Sequence, residues 1–225
     1  MNNAKSVGWK NASAIVLIIF AICLVYAYLR YNVVRNVPLD NFPLYIMNKA
    51  VALAATILIG LSFILGPLAH FFPALVPHLY LRKHLGVIGF GLAALHAIMS
   101  LVLLNPANYP RFYVESGKFN LIGESSMLFG ILAFVIFAAI SVTSLPPIEN
   151  HMHPDQWKLV QRFGYLAYIF VLAHVMIMGY QGWFRPESWQ YGLASISLIS
   201  ALFVVFVLLM RVLVMVFSNS KKVSN

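Results

Sequence analysis

The sequence predicts an all-α polytopic membrane protein, a bundle of six transmembrane helices forming one domain over residues 1–225. Three observations carry this expectation. Of the 225 residues 61% are hydrophobic and only 9% are charged, whereas soluble domains run at about 45–50% apolar with about a quarter of their residues charged. The apolar residues fall into six runs of roughly 20, the length that crosses a hydrocarbon core about 30 Å thick. Proline and polar residues gather in the short stretches between the runs. A chain of this kind cannot cover itself with polar side chains, so a soluble enzyme, a disordered chain and a nucleic-acid binder are excluded, and membrane lipid is the expected surrounding.

The first run, about 12–30, has a basic start at Lys5 and Lys10 and an apolar centre. No small-x-small cleavage site closes it, since Tyr26, Tyr28 and Arg30 follow, so it reads as an uncleaved signal anchor. The second run covers about 46–70, the third 84–104, the fourth 123–145, the fifth 158–180 and the sixth, C-terminal run 191–217. Pro38 and Pro43, Pro73 and Pro77, Pro106 and Pro110, Pro146, Pro147 and Pro154, and Pro186 mark the five connections. The tryptophans Trp9, Trp157, Trp183 and Trp189 fall near the expected borders, where amphipathic rings prefer to sit. The single cysteine, Cys23, lies inside an apolar run and excludes an internal disulfide.

Charge sets the expected orientation. Lys+Arg number 15 against six Asp+Glu, a formal charge of +9. Six spans put both termini on one side, together with Lys5, Lys10, Arg82, Lys83, Lys158, Arg162, Arg211, Lys221 and Lys222. The other side holds Arg30, Arg35, Lys49, Arg111, Lys118 and Arg185. The excess of basic residues favours cytoplasmic termini, in a bacterial inner membrane.

The chemistry points to histidine. His96 is about twelve residues into the third run and His174 about sixteen into the fifth, roughly 18 and 24 Å along helices of the same direction. Both therefore sit in the outer half of the bilayer at similar depth. Ionisable side chains there usually face the bundle interior and serve function, and imidazole suits iron, copper and zinc. No third histidine, cysteine or carboxylate lies at this depth, which argues against a three- or four-ligand zinc site. A haem, whose porphyrin supplies four nitrogens, needs only these two axial ligands. Gly89, two turns before His96 on the same face, is a candidate for close approach of the macrocycle, its other reading being helix packing. The remaining histidines, His70, His78, His84, His151 and His153, lie near span ends or in loops.

The chain resembles the ferric reductase-like transmembrane superfamily, and within it stands nearest in size and motif to the haem-binding subunit of bacterial methionine sulfoxide reductase. The resemblance covers a core of about 46–180. Gly66-Pro67-Leu68 resembles the ending of the family's second span. Arg82-Lys83-His84-Leu85-Gly86-Val87, leading to Ala94-Leu95-His96, resembles its third. Trp157, Gln161-Arg162, Tyr165 and His174 resemble its fifth. Gln161 stands where the family carries the first of two fifth-span histidines, and Arg82 where two-haem relatives carry an inner third-span histidine. The resemblance therefore supports an outer haem b between His96 and His174 and puts an inner one in doubt, with His84 as a candidate ligand for it.

What the resemblance implies is a b-type cytochrome that passes electrons and is a subunit rather than a complete enzyme; no catalytic residue is assigned. Arg82 and Arg162, with Lys83, are candidates to hold haem propionates or an anionic flavin such as FMN at the cytoplasmic face; otherwise they are the orientation signal already described. A chain of this length leaves no room for a nucleotide-binding domain, so the expected donor is a quinone pool or a flavin reductase. The expected acceptor is a periplasmic redox partner or a small oxidant. The rival expectation is a haem-free transporter or assembly scaffold with the two histidines as hydrogen bonders. Against it, no Asp, Glu, Lys or Arg lies deep in any run.

Overall fold

A computed structural model describes residues 2–33, 42–185, 187 and 189–223. Arg35, Pro38 and Pro186 lie outside the described residues, as do the side chains of Lys5, Pro43, Lys221 and Lys222. The described chain forms seven α-helices: α1 (Asn2–Tyr28), α2 (Met47–Phe71), α3 (Leu81–Leu103), α4 (Leu121–Thr143), the short α5 (Pro146–Glu149), α6 (Pro154–Trp183) and α7 (Ile196–Val223). All but α5 belong to segments long and apolar enough to cross a membrane. The chain is an integral membrane protein, all-α among its described residues; its one extended contact is an isolated antiparallel bridge between Tyr113 and Phe119.

Local chemistry sets the helix ends. Asn120 caps α4, its side chain accepting from Gly123 N at 3.0 Å. Proline occupies the first position of α5 and of α6, where its missing N–H is no loss. The C-terminal helix begins at Ile196, five residues later than the apolar run suggests. Tyr191 and Gly192 adopt positive φ of 53° and 72° and turn the chain there. Ser195 then caps α7 by accepting from Leu198 N at 3.2 Å.

Two helix pairs dominate the packing, α2 with α3 and α4 with α6; α7 leans on both α6 and α2, and α1 covers α2 and α3. The central core joins Ile59, Phe63 and Ile64 of α2 to Ala133, Phe137 and Ile140 of α4, Ala167 and Tyr168 of α6, and Val204 and Val207 of α7. Tyr168 is fully buried and donates its hydroxyl to the Thr56 carbonyl at 2.7 Å, so a buried polar group is satisfied across the bundle. Large apolar side chains such as Leu17, Ile18, Ile98, Leu101 and Leu202 stay exposed on the outside, the pattern of lipid-facing surface.

Candidate functional site

α3 and α6 make little direct contact with each other, each being packed on its own partner helix. His96 of α3 and His174 of α6 lie about 10 and 13 Å before the C-terminal ends of their helices, at 1.5 Å per residue, and so at comparable depth. They are half-buried.

Each ring is anchored through the same atom. His96 Nδ1 lies 2.7 Å from Oδ1 of Asn48, a completely buried residue at the start of α2. Asn48 Nδ2 in turn donates to Ser100 Oγ at 3.0 Å, one turn beyond His96. His174 Nδ1 lies 2.8 Å from the carbonyl oxygen of Ser126 on α4, with Ser126 Oγ at 3.2 Å. A carbonyl can only accept, so Nδ1 of His174 carries the proton and its Nε2 holds a lone pair. Among the described residues no hydrogen bond reaches the Nε2 of either ring. Gly130 of α4 lies flat against His174: a Cβ there would stand 3.2 Å from Nδ1.

Beyond the histidines, at the end of the bundle where α2 and α4 start, Lys49 lies against the rings of Tyr45 and Tyr109, 5.2 and 5.1 Å from their centroids. It also donates to the Tyr109 hydroxyl at 3.3 Å. Arg111 in the loop before α4 donates to the carbonyls of Ile177, at 2.8 Å, and Met178 on α6. Burial pulls the Arg111 pKa below its ordinary value.

The opposite end of the bundle holds a small, partly open cleft lined by residues of α2, α3, α4 and α6, including Ser62, Arg82, Lys83, Phe137, Ser144 and Gln161. Gln161 donates to Ser144 Oγ at 3.1 Å. Arg82 donates from Nε to the Ser62 carbonyl at 3.0 Å, and Lys83 pairs with Glu149 of α5. Arg162, expected beside Arg82, is exposed and does not line this cleft. His84 turns away from it: its ring stands edge-on to Trp9 of α1 at 4.5 Å, and its Nδ1 lies 2.9 Å from the Tyr80 carbonyl. One residue further along a helix is a rotation of about 100°, which takes His84 off the face that Lys83 presents. Gly89, the other candidate of α3, faces α2. A Cβ there would meet Ile59 N at 3.0 Å and Leu58 Cβ at 3.2 Å, so the glycine serves helix packing and no open face adjoins it. His70 stands edge-on to Phe71 and His78 sits in the exposed turn before α3.

Sequence reasoning missed Asn48, Ser100, Ser126 and Gly130. Ser100 was signalled only by its i+4 relation to His96. The site's centre is thus two imidazoles, each anchored to the neighbouring helix of a membrane bundle. The profile of the family described as ferric reductase like transmembrane component matches residues 51–172, taking in His96 and ending two residues before His174. The chain belongs to this family. It is also similar to the metalloreductase STEAP2 of Mus musculus and of Homo sapiens, each 25% identical over 217 residues covering 81% of this chain and 44% of the relative. The metalloreductase STEAP3 of Rattus norvegicus is 24% identical over the same length. The chain thus spans less than half the length of these curated relatives. Family and relatives together support a role in electron transfer within the membrane.

Proposed function

We propose that the chain is a haem b-binding electron-transfer protein, with His96 and His174 as the two axial ligands. The observation that carries this is the matched state of the two rings. Each Nδ1 is tied to an oxygen on the neighbouring helix, and among the described residues neither Nε2 has a hydrogen bond, while α3 and α6 make little contact with each other. Metal-binding histidines are typically held this way, the far nitrogen bonded to a carbonyl or similar acceptor.

A haem held by His96 and His174 would supply one-electron storage, with the two imidazoles as its protein ligands. The protein residues do the rest. His96 and His174 fix the position and plane of the group. Lys49, held by Tyr45 and Tyr109, keeps a positive charge near the site. At the other end the cleft beside Arg82 and Lys83 suits an anionic carrier such as FMN, or the head of a quinone; with Gln161 bound to Ser144 and His84 turned to α1, it offers no facing pair of imidazoles. Electrons then enter from quinol or a flavin reductase at the cytoplasmic side, where the termini lie. They leave to a partner or small acceptor outside, and the metalloreductase relatives make a metal ion a fitting small acceptor.

The test is a reduced-minus-oxidised spectrum of the purified protein with haem quantified as the pyridine haemochrome. A b-type spectrum that disappears or falls sharply in both His96→Ala and His174→Ala is expected. Spectra unchanged in both variants would overturn the assignment.

A further inference from the structure

Asn48 belongs to no motif by which the chain resembles its family, and it precedes the matched segment 51–172. It is nevertheless 0% exposed at the start of a membrane helix, where a primary amide without partners costs several kcal/mol. Its partners are specific. The Nδ2 group donates to Ser100 Oγ at 3.0 Å, which turns Oδ1 toward His96 Nδ1 at 2.7 Å. With the amide oriented in this sense, Oδ1 can only accept, so Nδ1 of His96 must carry the proton. The lone pair is then on Nε2, the nitrogen that faces away from α2. Ser100 Oγ, 3.4 Å from the same Nδ1, completes a triangle of three side chains on two helices.

We propose that Asn48 is a positioning residue: through the Ser100-oriented amide it fixes both the tautomer and the ring plane of His96 and sets how strongly that imidazole donates to a metal. This rests on the reading of His96 as a haem ligand. The counterpart on α6 differs in kind. His174 is held by a backbone carbonyl at 2.8 Å with Ser126 Oγ beside it at 3.2 Å, whereas His96 is held by side chains alone, so Asn48 is a point at which sequence controls the ligand field of this site. An acceptor at Nδ1–H raises the basicity of the ring and favours the ferric state. Losing the acceptor weakens that preference and frees the ring to rotate.

The experiment is a spectroelectrochemical titration, with electron paramagnetic resonance of the oxidised form, on the purified full chain carrying its haem. Asn48→Leu, close in size and without an acceptor, is expected to raise the midpoint potential and broaden the ferric signals. Asn48→Asp presents an oxygen to Nδ1 in either charge state and is expected to return the potential to that of the unaltered protein or below it. An unchanged potential and signal in Asn48→Leu overturns the proposal. Loss of haem from Asn48→Leu with retention in Asn48→Asp supports it, and loss from both overturns it. Should Asn48→Leu fail to accumulate, Ser100→Ala decides: a smaller upward shift supports the role and no shift overturns it. Failure of the underlying reading shows separately, as haem retained by His96→Ala.

Discussion

His174 rests against a glycine, and this makes the site sensitive where the fold is not. Gly130 lies within a regular helix, where alanine is preferred by roughly 0.5–1 kcal/mol. A Cβ at Gly130 would nevertheless stand 3.2 Å from Nδ1 and 3.4 Å from Cε1 of the ring, tighter than most real contacts. Gly130→Ala is therefore expected to leave thermal stability unchanged or slightly raised while displacing His174 and reducing the haem retained on purification. Equal haem content in Gly130→Ala and the unaltered protein would show that the ring has room to yield. The two histidines were legible in the sequence because imidazole is costly in a hydrocarbon core. Gly130, Ser100 and Ser126 were not, since small residues pack membrane helices everywhere and carry no signal of what they touch. Asn48 was hidden by its neighbour, Lys49, which marks a span border.

The helices were legible as lengths and opaque as faces. The second to fifth crossings were expected within four residues of their observed limits, because runs of about 20 apolar residues and the intervening prolines define them, whereas α1 begins at Asn2, ten residues before its apolar run. The start of α7 moved to Ile196 because the backbone turns at Tyr191 and Gly192, a matter of φ that apolarity does not report. Which face of α3 met which neighbour was beyond the sequence, since a helix apolar all round has no stripe to orient it. Hence His84 and Gly89, expected at cofactors, meet Trp9 and α2 instead. Packing between α2 and α6 gives a test of these faces. A Cβ at Gly164 would fall 2.5 Å from Phe63 Cζ, whereas one at Gly91 meets nothing within 4 Å. Gly164→Ala is expected to destabilise the bundle by about 1–3 kcal/mol through overpacking, and Gly91→Ala to be neutral or mildly stabilising. Equal unfolding midpoints for the two variants would contradict the α2–α6 interface.

The bundle as a whole is built twice over. In one helix pair Asn48 of α2 holds His96 of α3; in the other Ser126 of α4 holds His174 of α6; both links span 48 residues. Both pairs run the same way, so the two rings stand at comparable depth, a correspondence no sequence repeat announced. Nothing equivalent exists at the other end. There α6 contributes Gln161, tied to Ser144, and α3 contributes Arg82, tied to the Ser62 carbonyl. A bis-imidazole site needs a histidine from each pair, and among the described residues neither pair presents one to this cleft. The purified chain is therefore expected to hold one haem, and Gln161→His is expected to leave that number at one, because Arg82 still faces the new ring. Arg82→His combined with Gln161→His is the smallest change that supplies both ligands. A ratio of two haems per unaltered chain would mean that a histidine outside the cleft, His84, His78 or His70, reaches a second iron, and that the cleft rearranges when it is filled.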